Sequence, residues 1–132
     1  MKPNPTSLTL ELPWPPSVNH YYRAIARKKV FRGFVKWIGV NVLSVEARQY
    51  KKAVQSSLFG VRPMGSVRLS AEIYLHGPNR RKYDISNRVK AIEDALENAG
   101  VFDNDNQIDR LIVERGEIRK GGAALVHLEV MG

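Results

Sequence analysis

The sequence predicts a single α+β domain: a small mixed β-sheet with two main helices, in the order β-α-β-α-β-β. Three observations predict it. Residues 8–12 and 67–75 alternate apolar and polar side chains with period two, the mark of half-buried strands. Ile85, Val89, Ile92, Leu96 and Ala99 recur at spacings of 4, 3, 4 and 3, which places them on one face of a helix. At 132 residues the chain is long enough for one core and too short for two, so these elements belong to one domain spanning 1–132.

Leu8-Thr9-Leu10-Glu11-Leu12 is the first strand, and Pro13 ends it. Pro13-Trp14-Pro15-Pro16-Ser17 is extended and stiff, because its prolines fix φ and restrict the residues before them. As a polyproline segment it could serve as a ligand for another protein, but its place at a strand exit favours stiffening. Residues 18–41 carry Tyr21, Tyr22, Phe31, Phe34 and Trp37 among basic residues with no clean period. They read as a long, partly mobile loop of the kind that is usually functional or disordered.

Ser44 is placed to cap a helix running to about Phe59, with Val45, Ala53, Val54 and Leu58 inward and Arg48, Lys51 and Lys52 outward. Gly60 and Pro63 stop it. The strand over 67–75 follows, then a turn at Gly77-Pro78-Asn79. The second helix begins near Ile85 and ends at Gly100, its C′ residue. Residues 108–118 read as a strand with Ile108, Leu111, Val113 and Ile118 as core positions, and Gly121-Gly122 turns the chain into a last strand over 123–130.

Charge narrows the function. Lys and Arg number 21 against 13 Asp and Glu, a net +8. Residues 1–83 hold 15 basic and 3 acidic side chains (+12), and residues 84–132 hold 6 and 10 (−4). A positive field over the first two thirds suits a polyanion such as nucleic acid. No apolar run approaches the length of a spanning helix and the N-terminus lacks the apolar core of a signal peptide, so no membrane is expected and the cytoplasm is the expected location. With no cysteine, and with His20, His76 and His127 scattered, thiolate and zinc sites are not expected and any metal should be oxygen-ligated. No Gly-x-Ser-x-Gly elbow marks a serine hydrolase.

The functional signal lies between Arg80 and Gln107. Arg80-Arg81-Lys82 runs directly into Tyr83-Asp84-Ile85-Ser86-Asn87, and past the helix stands Asp103-Asn104-Asp105-Asn106. Basic groups suit phosphates and clustered hard oxygens suit Mg²⁺. The juxtaposition is what a metal-dependent enzyme acting on a nucleic-acid backbone requires. Each part also has a plainer reading. Asp84 or Ser86 can cap the helix, Asn87, Lys90 and Asp94 share a stripe that can be a solvated face, and the second cluster can be an Asx-rich turn. A helix of about 15 residues spans roughly 22 Å, so the clusters meet only if the chain folds back across that helix. The aromatics of 21–37 either pack on the core or pair base stacking with phosphate contacts.

Three stretches together resemble the RusA family of Holliday-junction resolvases. They are residues 12–23, Leu-Pro-Trp-Pro-Pro-Ser-Val-Asn-His-Tyr-Tyr-Arg; Asp84-Ile85-Ser86-Asn87-Arg88-Val89-Lys90 with Asp94-Ala95-Leu96 and Ala99-Gly100; and Asp103-Asn104-Asp105-Asn106-Gln107-Ile108. The match in order and spacing runs from the first strand almost to the C-terminus. The resemblance implies a homodimeric, Mg²⁺-dependent endonuclease, with Mn²⁺ as a substitute ion, acting on four-way DNA junctions by paired symmetric nicks in recombination and repair. Its setting is a bacterial cell or one infected by phage. It puts the metal carboxylates on Asp84 and Asp105, the basic catalytic residue on Lys90, and Asn87 beside them.

One position departs: where the family pattern has Asp-x-Asp-Asn, this chain has Ser86. A serine hydroxyl is a poorer Mg²⁺ ligand than a carboxylate, so Ser86 holds the ion through water, cedes the role to a nearby acid such as Asp94 or Asp103, or leaves this copy catalytically weak. Arg23, Arg27, Lys28, Lys29, Arg32 and Lys36, with Arg80, Arg81 and Lys82, are expected to grip DNA. The rival reading, kept open by Ser86, is a non-catalytic, structure-selective DNA-binding protein on the same fold.

Overall fold

A computed structural model describes residues 3–132. Strands β1 (Ser7–Leu12), β4 (Leu69–His76), β5 (Ile108–Arg115) and β6 (Ala123–Val130) form one sheet in the order β1-β6-β4-β5. β4 and β5 run parallel and the other neighbours antiparallel, so the sheet is mixed. With helices α1 (Val45–Ser57) and α2 (Val89–Asn98) these strands keep the expected β-α-β-α-β-β order.

Alternation decides which face is covered. In β4, Leu69, Ala71, Ile73 and Leu75 are buried while Ser70, Glu72 and Tyr74 between them are only partly so. The buried set shares one core with Leu10, Leu12, Val126 and Leu128 of the flanking strands and with Ile92, Ala95, Leu96 and Val54 of the helices. Fully burying a Leu or Ile side chain contributes about 1.5–3 kcal/mol, and this layer supplies most of what holds the domain. Ser44 caps α1 as expected, its hydroxyl accepting from the Ala47 amide at 3.1 Å.

Several expectations need correction. Residues 18–41 are not a loop. After a 3₁₀ turn at Val18–His20, strands β2 (Tyr22–Phe31) and β3 (Phe34–Leu43) pair antiparallel over ten positions in a separate two-stranded sheet. The turn between them is Arg32-Gly33, with φ of +48° and +82°. Two positive φ values match the right-handed twist of the strands, and glycine supplies the second at no steric cost. Basic side chains at Lys28, Lys29 and Lys36 interrupt the apolar alternation, which hid the strands.

In α1 the inward residues are Ala47, Tyr50 and Val54, with Leu58 just beyond, whereas Val45 and Ala53 face outward. The helix turns Tyr50 inward, and its hydroxyl donates to the Pro13 carbonyl at 2.9 Å. β5 ends at Arg115, and both Leu111 and Ile118 are exposed. β5 is an edge strand, so only part of it meets the core. No helix among the described residues is long and apolar enough to cross a membrane.

Candidate active site

β4 delivers the chain to residues 77–83, which lead into a 3₁₀ turn at Ile85–Arg88 and then α2. Asp84 is the N-cap residue of that turn, yet its carboxylate caps no backbone amide. It accepts instead from Asn87 Nδ2 at 3.3 Å. Asp84 is solvent-facing, so its charge is available to a ligand rather than consumed by the helix.

Around Asp84 the chain builds a basic, aromatic-walled cleft of about 510 Å³, lined by Lys82, Tyr83, Asn87, Arg88 and Arg115 together with Ser17 and Asn19. The wall is rigid for identifiable reasons. Arg88 Nη1 donates to the Pro15 carbonyl at 2.7 Å, and its guanidinium lies 5.0 Å over the Trp14 ring and 5.9 Å over Tyr83. Trp14 and Tyr83 meet edge to face at 5.0 Å. Arg115 lies 4.2 Å over the Tyr83 ring and donates to the Tyr83 carbonyl at 3.0 Å. Burial lowers the Arg88 pKa from its ordinary value, but a guanidinium stays charged at any working pH. Arg88 and Arg115 were not singled out by sequence reasoning. Trp14-Pro15-Pro16 gave the only hint, by stiffening a strand exit that needed something to pack on.

Ser86, Lys90 and Glu93 line a second, more apolar depression with Ile85, Val89, Leu111 and Val113. Lys90 Nζ lies 3.4 Å from Asp94 Oδ1. Partial burial pulls the Lys90 ammonium down, but the Asp94 carboxylate, with Asp105 behind it, more than offsets this and holds it above its ordinary value. The other oxygen of Asp94 accepts a 2.6 Å hydrogen bond from the Tyr21 hydroxyl. Glu93 was also missed. Burial, then the Asp105 and Asp94 carboxylates, push its carboxyl above the ordinary range, and Lys90 opposes them only in part. The spacing Ser86, Lys90, Glu93 is +4, +3, a helical stripe that could have revealed it.

The second cluster folds as a built turn. Asn104 caps the 3₁₀ turn Asp105–Gln107, accepting from the Asn106 amide at 2.9 Å. Buried Gln107 accepts from the Asp103 and Asn104 amides at 2.8 Å each and donates to the Gly65 and Val67 carbonyls. The Asp105 amide donates to Glu97 Oε1 at 2.9 Å, which fixes the turn against α2. The Asp105 side chain then acts electrostatically on Lys90 and Glu93. The fold-back is possible because α2 proper has only ten residues, about 15 Å. Asp103 is exposed.

The structure thus brings Asp105, Lys90, Glu93 and Asp94 into one electrostatic neighbourhood and sets Asp84 and Asn87 in a separate basic cleft. Among the described residues no group of three or more His, Asp or Glu side chains is placed to hold a metal unaided. Lys82 lines the cleft, Arg80 and Arg81 are exposed just before it in the chain, and Arg23, Arg27, Lys28, Lys29, Arg32 and Lys36 are exposed along the β2–β3 hairpin.

Comparison with known proteins converges on one family. Residues 13–131 match the family model described as endodeoxyribonuclease RusA. The chain is 30% identical over 127 residues to a crossover junction endodeoxyribonuclease of Enterobacteria phage 82, covering 93% of this chain and 94% of the relative. It is 29% identical over 128 residues to the Escherichia coli K12 protein of the same description, covering 94% and 95%. The phage HK97 protein is 31% identical over 113 residues, 84% of each chain.

Proposed function

The chain belongs to the RusA endodeoxyribonuclease family, and on that premise we propose that it is an Mg²⁺-dependent endonuclease that resolves four-way DNA junctions by paired symmetric nicks in the cytoplasm. The observation that carries the reading is the uncapped Asp84 carboxylate in a cleft walled by Lys82, Arg88 and Arg115. A carboxylate kept out of its helix cap and surrounded by cations is suited to meet an ion and a phosphate together.

The reaction is hydrolysis of a phosphodiester. Mg²⁺, or Mn²⁺ in its place, held by Asp84 and Asp105, would polarise the scissile phosphate and acidify a water. Lys82, Arg88 and Arg115 position the phosphate, Arg88 and Arg115 being already oriented by their ring and carbonyl contacts. Asn87 orients the Asp84 carboxylate. Lys90, kept protonated by Asp94, stabilises the extra negative charge of the transition state. Arg80, Arg81 and the hairpin cations hold flanking phosphates.

A junction has approximate two-fold symmetry, so symmetric nicks call for two sites in a C₂ dimer. The unpaired edge of strand β5, with Leu111 exposed on it, supplies a surface for that pairing. The test is incubation with a synthetic four-way junction with and without Mg²⁺: symmetric nicks only with the ion are expected. Tight junction binding with no cleavage under any divalent ion would favour the non-catalytic alternative.

A further inference from the structure

The β2–β3 hairpin forms a sheet of its own, ten paired residues per strand with no third strand beside it among the described residues. At about 3.3 Å per residue it is roughly 30 Å long. Toward its tip it exposes Val30, Phe31, Phe34, Val35 and Trp37, at 63, 66, 77, 54 and 65% of their accessible surface. A two-stranded ribbon is marginal in water, and one exposing five large apolar side chains at one end is built to meet something.

The register says what. Directly opposed residues share a face and faces alternate along a strand. Phe31 pairs with Phe34, Lys29 with Lys36 and Arg27 with Ile38, and Arg23 follows on the same face. Lys29 opposite Lys36 is a like-charge pair that destabilises the ribbon unless an anion lies across it. No acidic residue occurs between Glu11 and Glu46, so nothing on the hairpin neutralises its six cations. The base is fixed to the candidate site: Tyr21 precedes β2 and hydrogen-bonds Asp94, Tyr22 packs on Tyr21 at 5.0 Å, and the Ser44 amide donates to the Tyr21 carbonyl.

We propose that this hairpin is a DNA-insertion arm, whose Lys29/Lys36 face lies along backbone phosphates while Phe31 and Phe34 stack on bases exposed where strands part. The inference rests on the reading of branched DNA as substrate. Stacking is sequence-tolerant, because every base has a π-face, and a branch point offers unstacked bases that an intact duplex yields only at a cost. A second copy of the chain is a poorer occupant, since pairing two arms of identical positive charge opposes association.

The test uses a four-way junction with 2-aminopurine at the branch point, bound in Mg²⁺-free buffer to prevent cleavage. Wild-type protein should raise the probe's fluorescence, because 2-aminopurine loses the quenching neighbour bases when it moves onto an aromatic side chain, with no change for a probe ten base pairs away. F31A/F34A, and F31L/F34L, which keeps apolar bulk without the rings, should lose the signal. K29Q/K36Q should reduce the slope of log K against log salt by about 2.

A full signal from both phenylalanine variants, or an unchanged slope, would overturn the arm. So would conversion of the wild-type assembly to a smaller species by F31A/F34A, since the tip would then be packing on a second copy. Wild-type protein that gives the signal but never cleaves the junction in Mg²⁺ refutes the nuclease reading alone. Cleaving protein whose phenylalanine variants keep the signal refutes the arm alone.

Discussion

The Tyr21 hydroxyl donates to Asp94 Oδ2 at 2.6 Å while Lys90 Nζ approaches the other oxygen of the same carboxylate at 3.4 Å. One residue of α2 therefore joins the root of the hairpin to the ammonium proposed to stabilise the transition state. Burial, and after it the bond to Asp94, hold the Tyr21 phenol above its ordinary value, so it remains a donor at any working pH. Y21F should cost about 1.5–3 kcal/mol of stability, the scale for a lost hydrogen bond to a charged acceptor, read as a lower urea midpoint. If Tyr21 only fills the core, Y21F will leave junction cleavage untouched. We expect kcat to fall with little change in KM, because Lys90 loses a fixed neighbour.

D84N and D105N should each abolish Mg²⁺-dependent cleavage and leave junction binding within about twofold, since both charges serve the ion rather than the DNA. Gel-shift and nicking assays on the same preparations separate these effects. Full cleavage by either variant would remove that residue from the site.

Glu93 supplies a pH test. Its carboxyl titrates above the ordinary value of 4.5 in the folded chain, so between the two values the native state binds more protons than the unfolded one. Stability therefore falls as pH rises through that window and stays lower above it. E93Q should raise Tm relative to wild type at pH 7, with the gap closing as pH falls below the ordinary value. An equal Tm at both pH values would mean that the neighbouring carboxylates do not burden Glu93.

Assembly is tested at β5. The protein should sediment at about 30 kDa, twice the 14.9 kDa chain. L111E should give monomers and convert paired nicks to single, uncoupled ones. A monomeric wild type still making paired nicks at low nanomolar concentration would contradict the dimer.

What was legible in the sequence follows from where the physics is local. The period of Ile85, Val89, Ile92 and Leu96 and the Ser44 cap are local signals, and both helices form, although Ile85 falls in the 3₁₀ turn and α2 itself begins at Val89. The hairpin was not legible because its alternation serves a cationic face rather than a buried one, and Arg-Gly is a weaker turn signal than Asn-Gly. Asp84 and Asp105 could be named from their motifs. That Gln107 builds the second turn and Glu97 ties it to α2 depends on contacts across 40 and 8 residues, which no local pattern encodes.

Ser86 gives the most discriminating prediction. It is exposed beside Lys90 and Glu93, and of the two acids that could replace a missing carboxylate, Asp94 already has Tyr21 and Lys90 on its oxygens. S86D should therefore add a charged oxygen ligand and lower the Mg²⁺ concentration for half-maximal cleavage by roughly tenfold, about 1.4 kcal/mol. D94N should slow cleavage through Lys90 without changing that midpoint. If Asp103 instead fills the role, S86D will crowd the site with negative charge and reduce activity, and D103N will be as damaging as D84N. A midpoint that moves in none of S86D, D94N and D103N would put position 86 outside the coordination sphere and overturn the placement of the ion.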